Sequence, residues 1–214
     1  MNPRRILIVD DHPMVREWLA QIINRERDLR VCAEAGDAAT AISFLATHQP
    51  DMAIVDLTLK DSHGTELIRA ITAEFPAVPV LVVSMHDESL YGERAIRAGA
   101  KGYITKQEAG AQIRAAIRQV LGGELYLSEA LAAKMIRANA AGAPRTRTQD
   151  LSDRQLAVLR LIGRGHSTTQ IGEEMALSIK TVEGYIARIK KKLGLTTAGE
   201  LLQYAIEFNS ERRS

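Results

Sequence analysis

Asp10, Asp11, Asp56, Ser84 and Lys106 are of types, and at spacings, that suit the handling of a phosphoryl group. Asp10 and Asp11 follow the apolar run Arg4–Val9, and Asp56 follows Met52–Val55. A lone aspartate at a strand end ordinarily caps a turn or a helix. Three carboxylates meeting at one place instead repel one another and resist ionisation unless a cation neutralises them. All-oxygen ligation selects a hard cation, and a shallow, partly hydrated site suits Mg²⁺ better than a full calcium cage. Ser84 closes the run that begins at Val80, and Lys106 follows the run Gly102–Ile104. In such a pocket a carboxylate attacks phosphorus, the metal and the lysine neutralise the developing charge, and the hydroxyl binds a phosphoryl oxygen. No GxxxxGK[ST] occurs and no GxGxxG follows the first run. The phosphoryl group would therefore be held covalently on Asp rather than delivered on a bound nucleotide.

These residues need a scaffold that brings strand ends together. The runs Arg4–Val9, Leu29–Ala33, Met52–Val55, Val80–Val83 and Gly102–Ile104 are short, rich in Ile, Val and Leu, and lack alternation, as strands buried on both faces do. Amphipathic segments intervene: Pro13–Asn24 with Val15, Leu19, Ile22 and Ile23; Gly64–Glu74 with Leu67, Ile68 and Ile71; Ala109–Leu121 with Ile113, Ala116, Ile117 and Val120. The alternation predicts a flavodoxin-like (βα)5 parallel sheet in the order 2-1-3-4-5, whose ligand crevice lies at the carboxyl ends of strands 1 and 3.

Composition narrows the classes. The chain is 46% hydrophobic and 25% charged, which excludes disordered, collagenous and coiled-coil proteins. The lone Cys32 excludes a disulfide framework, and the five scattered histidines form no pair at helical ligand spacing. No apolar run reaches the roughly 18–20 residues of a membrane helix, so no membrane partner is expected. Arg4 and Arg5 precede only Ile6–Val9 before two aspartates, so no secretion signal is expected and a cytoplasmic protein is. The net charge of +2 conceals a split: residues 1–127 carry 14 Lys+Arg against 17 Asp+Glu, and residues 128–214 carry 14 against 9. An acidic module is therefore joined to one suited to a polyanion. Ala138–Gln149, interrupted by Gly142 and Pro144 and without an apolar face, reads as a linker.

The segments LIVDDHPMVREWL, IVDLTLKDSHGTEL, VLVVSMHDE and GAKGYITK resemble the receiver domain of bacterial two-component response regulators, over roughly residues 1–123. The resemblance implies that Asp56 is the phosphoacceptor and that Asp11 and Asp56 bind Mg²⁺ directly. It implies that Asp10 holds the metal through water and that the backbone carbonyl of Thr58 adds a ligand. Ser84 and Lys106 match the family's switch hydroxyl and lysine. Tyr103 reads equally as its rotating aromatic switch or as an ordinary half-buried aromatic on an edge strand. Gln107 stands where many receivers have a proline after a cis peptide bond. A cis bond before a non-proline residue costs roughly 3–4 kcal/mol, so the geometry of this loop does not carry over.

The second half reads as a small all-α domain. Ser152 and Gln155 form a capping box ahead of Leu156, Leu159 and Ile162, and Gly163 and Gly165 end that helix. A second helix spans about Thr168–Met175, with Ile171 and Met175 inward. A third starts at Ser178 with Ile179, Val182, Ile186, Ile189 and Leu193 on one stripe. A fourth opens on a second box, Thr197 and Glu200, and carries Leu201, Leu202, Ala205 and Ile206. Opposite the third helix's stripe lie Lys180, Thr181, Glu183, Gly184, Ala187, Arg188 and Lys191, with Lys190 and Lys192 beside them. Cations there would meet phosphates, and small residues let a helix sink into a major groove. A single basic helix is more often a solvated face, but a short helix, a tight turn at Ala176–Leu177 and a longer basic helix form a helix-turn-helix.

Residues 147–210 resemble the LuxR-type helix-turn-helix, so the whole resembles a response regulator of the NarL/FixJ type. The expected division is a receiver over 1–123, a helix and linker over 124–149, and a DNA-binding domain over 150–214. Departures are Gln155 where Glu is usual, Gly172 where Ala is usual, and Gly184-Tyr185 where a basic or polar residue and His are common. Glu183 repels phosphate yet can accept from a cytosine amine. The resemblance implies that phosphorylation of Asp56 by a sensor histidine kinase frees the third helix and favours a homodimer on paired, palindromic promoter half-sites. It admits RNA polymerase as a further partner. Two other readings stay open on the residues: a DNA-binding protein whose receiver is only a scaffold, which the intact acidic pocket opposes, and a flavodoxin-like enzyme, for which no nucleotide or cofactor motif is present.

Overall fold

The computed structural model describes residues 2–59, 64–140, 148 and 151–210. They divide into two compact units, Met1–Gly142 and Ala143–Ser214. In the first unit β1 (Arg4–Val9), β2 (Leu29–Ala35), β3 (Met52–Val55), β4 (Val80–Ser84) and β5 (Gly102–Thr105) form a parallel sheet in the expected order, β2-β1-β3-β4-β5. Alternate residues of each strand serve opposite faces. Ile6, Ile8, Ile54, Leu81, Val83 and Ile104 pack with Leu19 and Ile23 of α1 (Pro13–Asn24) and Ile113 and Ile117 of α5 (Lys106–Leu121). Leu7, Val9, Val55 and Val82 point the other way and are equally buried. The remaining helices are α2 (Ala38–His48), α3 (Gly64–Glu74) and α4 (Glu88–Ala98). Burial of each such side chain stabilises by about 1.5–3 kcal/mol, and the double-sided requirement explains why these runs show no alternation.

Local signals set the ends. Asp37 and Asp87 cap α2 and α4 by accepting from Thr40 N and Ser89 N, and Gly99 (φ 113°) ends α4 in the left-handed conformation that glycine tolerates. Strand β2 runs to Ala35, two residues past the expected end, because Ile8 and Val9 pair with Glu34 and Ala35 after an irregularity at Cys32. Helix α5 begins at Lys106, three residues early. No peptide bond among the described residues is cis, including the one before Gln107. The outer edge of β5 is closed by Tyr126, whose N donates to Lys101 O (2.9 Å) and whose O accepts from Tyr103 N (3.1 Å), which protects an otherwise open edge. Helix α6 (Glu129–Ala140) packs on α4 through the buried Leu131, and Lys134 Nζ donates to Ser89 O (2.9 Å). It runs into the expected linker as far as Ala140. Of the rest of Ala138–Gln149 only Thr148 lies within the described residues.

The second unit holds α7 (Asp153–Gly163), α8 (Thr168–Glu174), α9 (Ile179–Leu193) and α10 (Ala198–Ser210). Its core comprises Leu156, Val158, Leu159, Ile171, Val182, Ile189, Leu193, Leu201, Ala205 and Phe208. The expectations for Ile179 and Met175 need correction. Ile179 is 51% exposed, because it opens α9 one turn before the helix reaches the core. Leu202 and Ile206 are 42% and 50% exposed, since α10 turns Leu201, Ala205 and Phe208 inward. Met175 is only half-buried. Helices α7 and α10 meet at Gly163, where an added Cβ would strike the Ala205 carbonyl, and Asn209 Nδ2 donates to Arg160 O (3.0 Å). Gly163→Ala is expected to destabilise this unit by about 1–3 kcal/mol, measured as faster hydrogen exchange of the α7 and α10 amides.

Candidate functional site

Strands β1 and β3 are in register through Ile8–Ile54 and Val9–Val55, so the next residues, Asp10 and Asp56, leave the sheet side by side. Backbone bonds hold both: Asp10 N donates to Ala35 O (3.1 Å) and Asp56 N to Val9 O (2.9 Å). Both residues are 2% exposed. The first residue of α5 supplies the counter-charge, with Lys106 Nζ 2.6 Å from Asp10 Oδ2 and 2.7 Å from Asp56 Oδ2. Burial disfavours the Lys106 ammonium, but the Asp56 and Asp10 carboxylates outweigh it and hold the amine above the usual lysine range. The stabilisation by this contact is therefore fully present below the ordinary lysine pKa and is lost as pH rises through the raised pKa of the folded state.

Asp11 is half-buried, and its Oδ1 is enclosed yet accepts no hydrogen bond of proper geometry among the described residues. His12 Nδ1 lies 2.7 Å from that oxygen and 3.2 Å from Asp10 Oδ1, while His12 N donates to Asp10 Oδ1 (2.9 Å). One ligand atom from each of Asp10, Asp11, His12 and Asp56 falls within 4.8 Å of the others. This acidic cluster could hold a metal: three oxygens converge, one of them an orphan acceptor. Thr58 lies beside it, its N donating to Asp56 Oδ1 (3.2 Å). The loop's return is tight, for Gly64 N donates to Leu57 O (3.0 Å) and a Cβ on Gly64 would strike the Asp56 carbonyl.

Ser84 and Tyr103 belong to an adjoining network. Ser84, fully buried at the end of β4, accepts from His86 N (3.4 Å). Tyr103 is 2% exposed, and its hydroxyl donates to His86 O (2.9 Å); burial pushes the phenol well above the usual tyrosine range. The ring thus points inward, beyond the half-buried position expected of an edge-strand aromatic. The His86 ring bonds Thr58 Oγ1 through Nε2 (2.9 Å) and stacks on Tyr91 at 4.4 Å. Sequence reasoning missed His12, His86 and Tyr91. His12 was signalled by its place directly after the Asp pair. His86 and Tyr91 carry no spacing signal, because the His86 ring reaches across to Thr58 after β3 and Tyr91 enters only by stacking on that ring from α4.

In the second unit, Ser167 with Gln170 and Ser152 with Gln155 close complete capping boxes, and Ser178 caps α9. The turn between α8 and α9 places Ala176 at φ 52° and returns Leu177 N to Gly172 O (2.8 Å). Gly172 suits that approach, since a Cβ would lie 2.9 Å from the Leu177 carbonyl. Ser178, Lys180, Thr181, Gly184 and Arg188 line one shallow depression. The Arg188 guanidinium lies 4.9 Å from the Tyr185 ring centroid. Glu183 and Lys191 are exposed. Lys190 instead donates to Thr196 O (3.4 Å), and Lys192 to Gln155 Oε1 (2.9 Å). Gln155 so completes its cap while tying α7 to α9. A Cβ on Gly184 would make only an ordinary contact, 3.7 Å from Arg188, so packing within this chain does not demand glycine there.

The chain matches the response regulator receiver domain over residues 6–118 and the luxR family of bacterial regulatory proteins over residues 149–205. The oxygen regulatory protein NreC of Staphylococcus carnosus is 33% identical over 210 residues, covering 95% of this chain and 97% of that one. Among solved structures, the Salmonella typhimurium RcsB response regulator is similar at 25% identity and TM-score 0.65, covering 97% of this chain and 98% of that one. RcsB of Salmonella enterica serovar Typhimurium, bound to promoter rprA with phosphomimetic BeF3⁻, is similar at 25% identity and TM-score 0.60, covering 95% and 98%.

Lys106→Met leaves two buried carboxylates facing each other without their cation. The expected loss is about 3–5 kcal/mol, read as a lower urea midpoint at neutral pH. The wild-type advantage should fall away once pH exceeds the ordinary lysine value and vanish only above the raised pKa of Lys106.

Proposed function

From the premise that the chain belongs to the two-component response regulators joining a receiver to a LuxR-type helix-turn-helix domain, and is a DNA-binding transcription factor, we propose that Asp56 accepts a phosphoryl group from a sensor histidine kinase. The observation that carries this is the buried Lys106 ammonium on Asp10 and Asp56 at the carboxyl edge of the sheet. A nucleophile must be ionised and a developing phosphoryl charge must be met, and this arrangement supplies both. An Asp56 oxygen attacks phosphorus, the new O–P bond replaces the donor's N–P bond, and the N–P electron pair stays on the donor histidine, whose ring, protonated on its other nitrogen, leaves as neutral imidazole. Asp10, Asp11, Asp56 and the Thr58 carbonyl would hold Mg²⁺, which when bound neutralises the phosphoryl oxygens.

The modified pocket gains charge and acceptor oxygens. Ser84 is the hydroxyl suited to bind one of them, and its move would release His86 N. Tyr103, hydrogen-bonded to the carbonyl of the same His86, is then the side chain that follows, so the β4–α4 turn has two arrangements. The reading divides the chain into a receiver over 1–123, a connecting helix and linker over 124–149 and a DNA-binding domain over 150–214. It has phosphorylation free α9 and favour a homodimer on paired, palindromic promoter half-sites, with RNA polymerase a further partner and the cytoplasm the compartment.

On α9, Lys180 and Arg188 are the cations of the depression and Thr181 and Gly184 its small members, with Glu183 and Lys191 flanking it. Lys190 faces the α9–α10 connection and is a backbone-phosphate contact at most. Among the described residues no helix is long and apolar enough to cross a membrane.

Asp56→Asn should keep the fold and abolish labelling by a small phosphodonor with Mg²⁺; full labelling of that variant removes Asp56 from its role. Lys180→Ala should weaken binding across DNA sequences and reduce the salt slope of the binding constant by about 1, measured by fluorescence anisotropy over a range of salt.

A further inference from the structure

Arg16 is the one cation of α1 that turns back on the acidic pocket, and it does so without touching a carboxylate there. Its Nη1 donates to the backbone carbonyl of Asp10 at 2.6 Å. The guanidinium is mostly enclosed, with the side chain 19% exposed; Nε is buried without a hydrogen bond and lies 3.6 Å from Glu34 Oε2 of β2. Gly36 lies beside it, and a Cβ there would make only an ordinary contact, 3.6 Å from Nη1. One side chain thus spans the start of α1, the end of β1 and the end of β2.

The atom it holds matters. The Asp10 carbonyl and the Asp11 amide share one rigid peptide plane, so fixing the oxygen fixes the direction in which Asp11 leaves the strand. Asp10 is already fixed by its N–H bond to Ala35 O (3.1 Å) and by Lys106. The Asp11 carboxylate instead meets the exposed ring of its neighbour His12, Nδ1 lying 2.7 Å from Oδ1, and since both side chains are carried by the same short stretch of backbone their aim follows that backbone. A guanidinium bound to the carbonyl also adds positive charge near crowded carboxylates while leaving their oxygens open to a cation. A lysine-type contact on the carboxylates, such as that of Lys106, would occupy them instead.

We propose that Arg16 is a positioning residue for the receiver's cation site: it sets the Asp10–Asp11 peptide so that Asp11 meets a divalent ion, and Glu34 holds the guanidinium in place. The proposal rests on the reading of Asp10, Asp11 and Asp56 as an Mg²⁺ site. Arg16→Gln should raise the dissociation constant for Mg²⁺ alone about tenfold, followed by the amide shifts of Asp11 and His12 in the full chain without phosphodonor. With a small phosphodonor, the Mg²⁺ concentration for half-maximal labelling should rise by the same factor while the rate at saturating Mg²⁺ stays near wild type. Arg16→Lys, which keeps a charge and a donor, should recover part of the affinity, and Glu34→Gln should show a smaller loss.

Unchanged Mg²⁺ affinity in a folded Arg16→Gln chain overturns the proposal. So does a fall in the saturated rate with no shift in Mg²⁺ dependence, since that is a structural loss and not a positioning one. If Arg16→Gln does not fold, Arg16→Lys and Glu34→Gln decide, and wild-type affinity in both overturns it. Failure of the wild-type chain to bind Mg²⁺ at all overturns the cation-site reading and this proposal with it.

Discussion

One ammonium between two buried carboxylates sets the terms for the receiver half of this protein. Parallel pairing of β1 with β3 brings Asp10 and Asp56 to the same edge at 2% exposure, where neither can be charged cheaply. Lys106 reaches both within 2.7 Å, and for this the helix α5 must begin at Lys106 and β5 must lie two strands away from β3. The neighbours are arranged around that balance. Asp11 adds a third carboxylate at the rim, Arg16 takes the Asp10 carbonyl while facing Glu34, and Thr58 bonds Asp56 through its backbone. With three carboxylates against the one ammonium that touches them, the pocket keeps an excess of negative charge that a divalent cation would offset.

The same edge connects outward through contacts that begin one strand over. Ser84 takes His86 N, Tyr103 takes His86 O, and the His86 ring lies between Thr58 and Tyr91. Tyr91 belongs to α4, and α4 carries α6: Leu131 fits over Gly92, and Lys134 reaches Ser89 O and, at 3.5 Å, Glu93. From the acidic pocket to α6, each step is therefore a hydrogen bond, a stacked ring or a packed side chain. Glycine at 92 is part of this, since a Cβ would stand 2.7 Å from Leu131 Cδ2.

Much of this was legible in the residues. The five apolar runs, their parallel order and the four helices of the second unit follow from periodicity, because double-sided burial and helical stripes leave different patterns. The capping box at Ser152–Gln155 closes as its spacing requires, with both reciprocal bonds present. Helices α2 and α4 were not read, although Asp37 and Asp87 cap them. The sequence of α2 (AATAISFLATH) is apolar nearly all round and shows no stripe, and that of α4 mixes Gly and charge. Ile179 and Met175 were assigned inward on helical spacing, but their exposure depends on where each neighbouring helix ends, which spacing does not contain.

The order of residue types along the chain determined the two modules, the carboxylates at strand ends, the lysine beyond β5 and the basic face of α9, because each is a matter of spacing within one element or at its end. Tertiary structure alone decided that Lys106 bonds Asp10 and Asp56 together, that Tyr103 turns inward onto His86, that Arg16 grips the Asp10 carbonyl, and that Lys190 and Lys192 turn to partners within the chain while Lys180 and Arg188 line the open depression. Those contacts join residues from 6 to 96 positions apart, and only the packing of separate elements brings such side chains within hydrogen-bonding range.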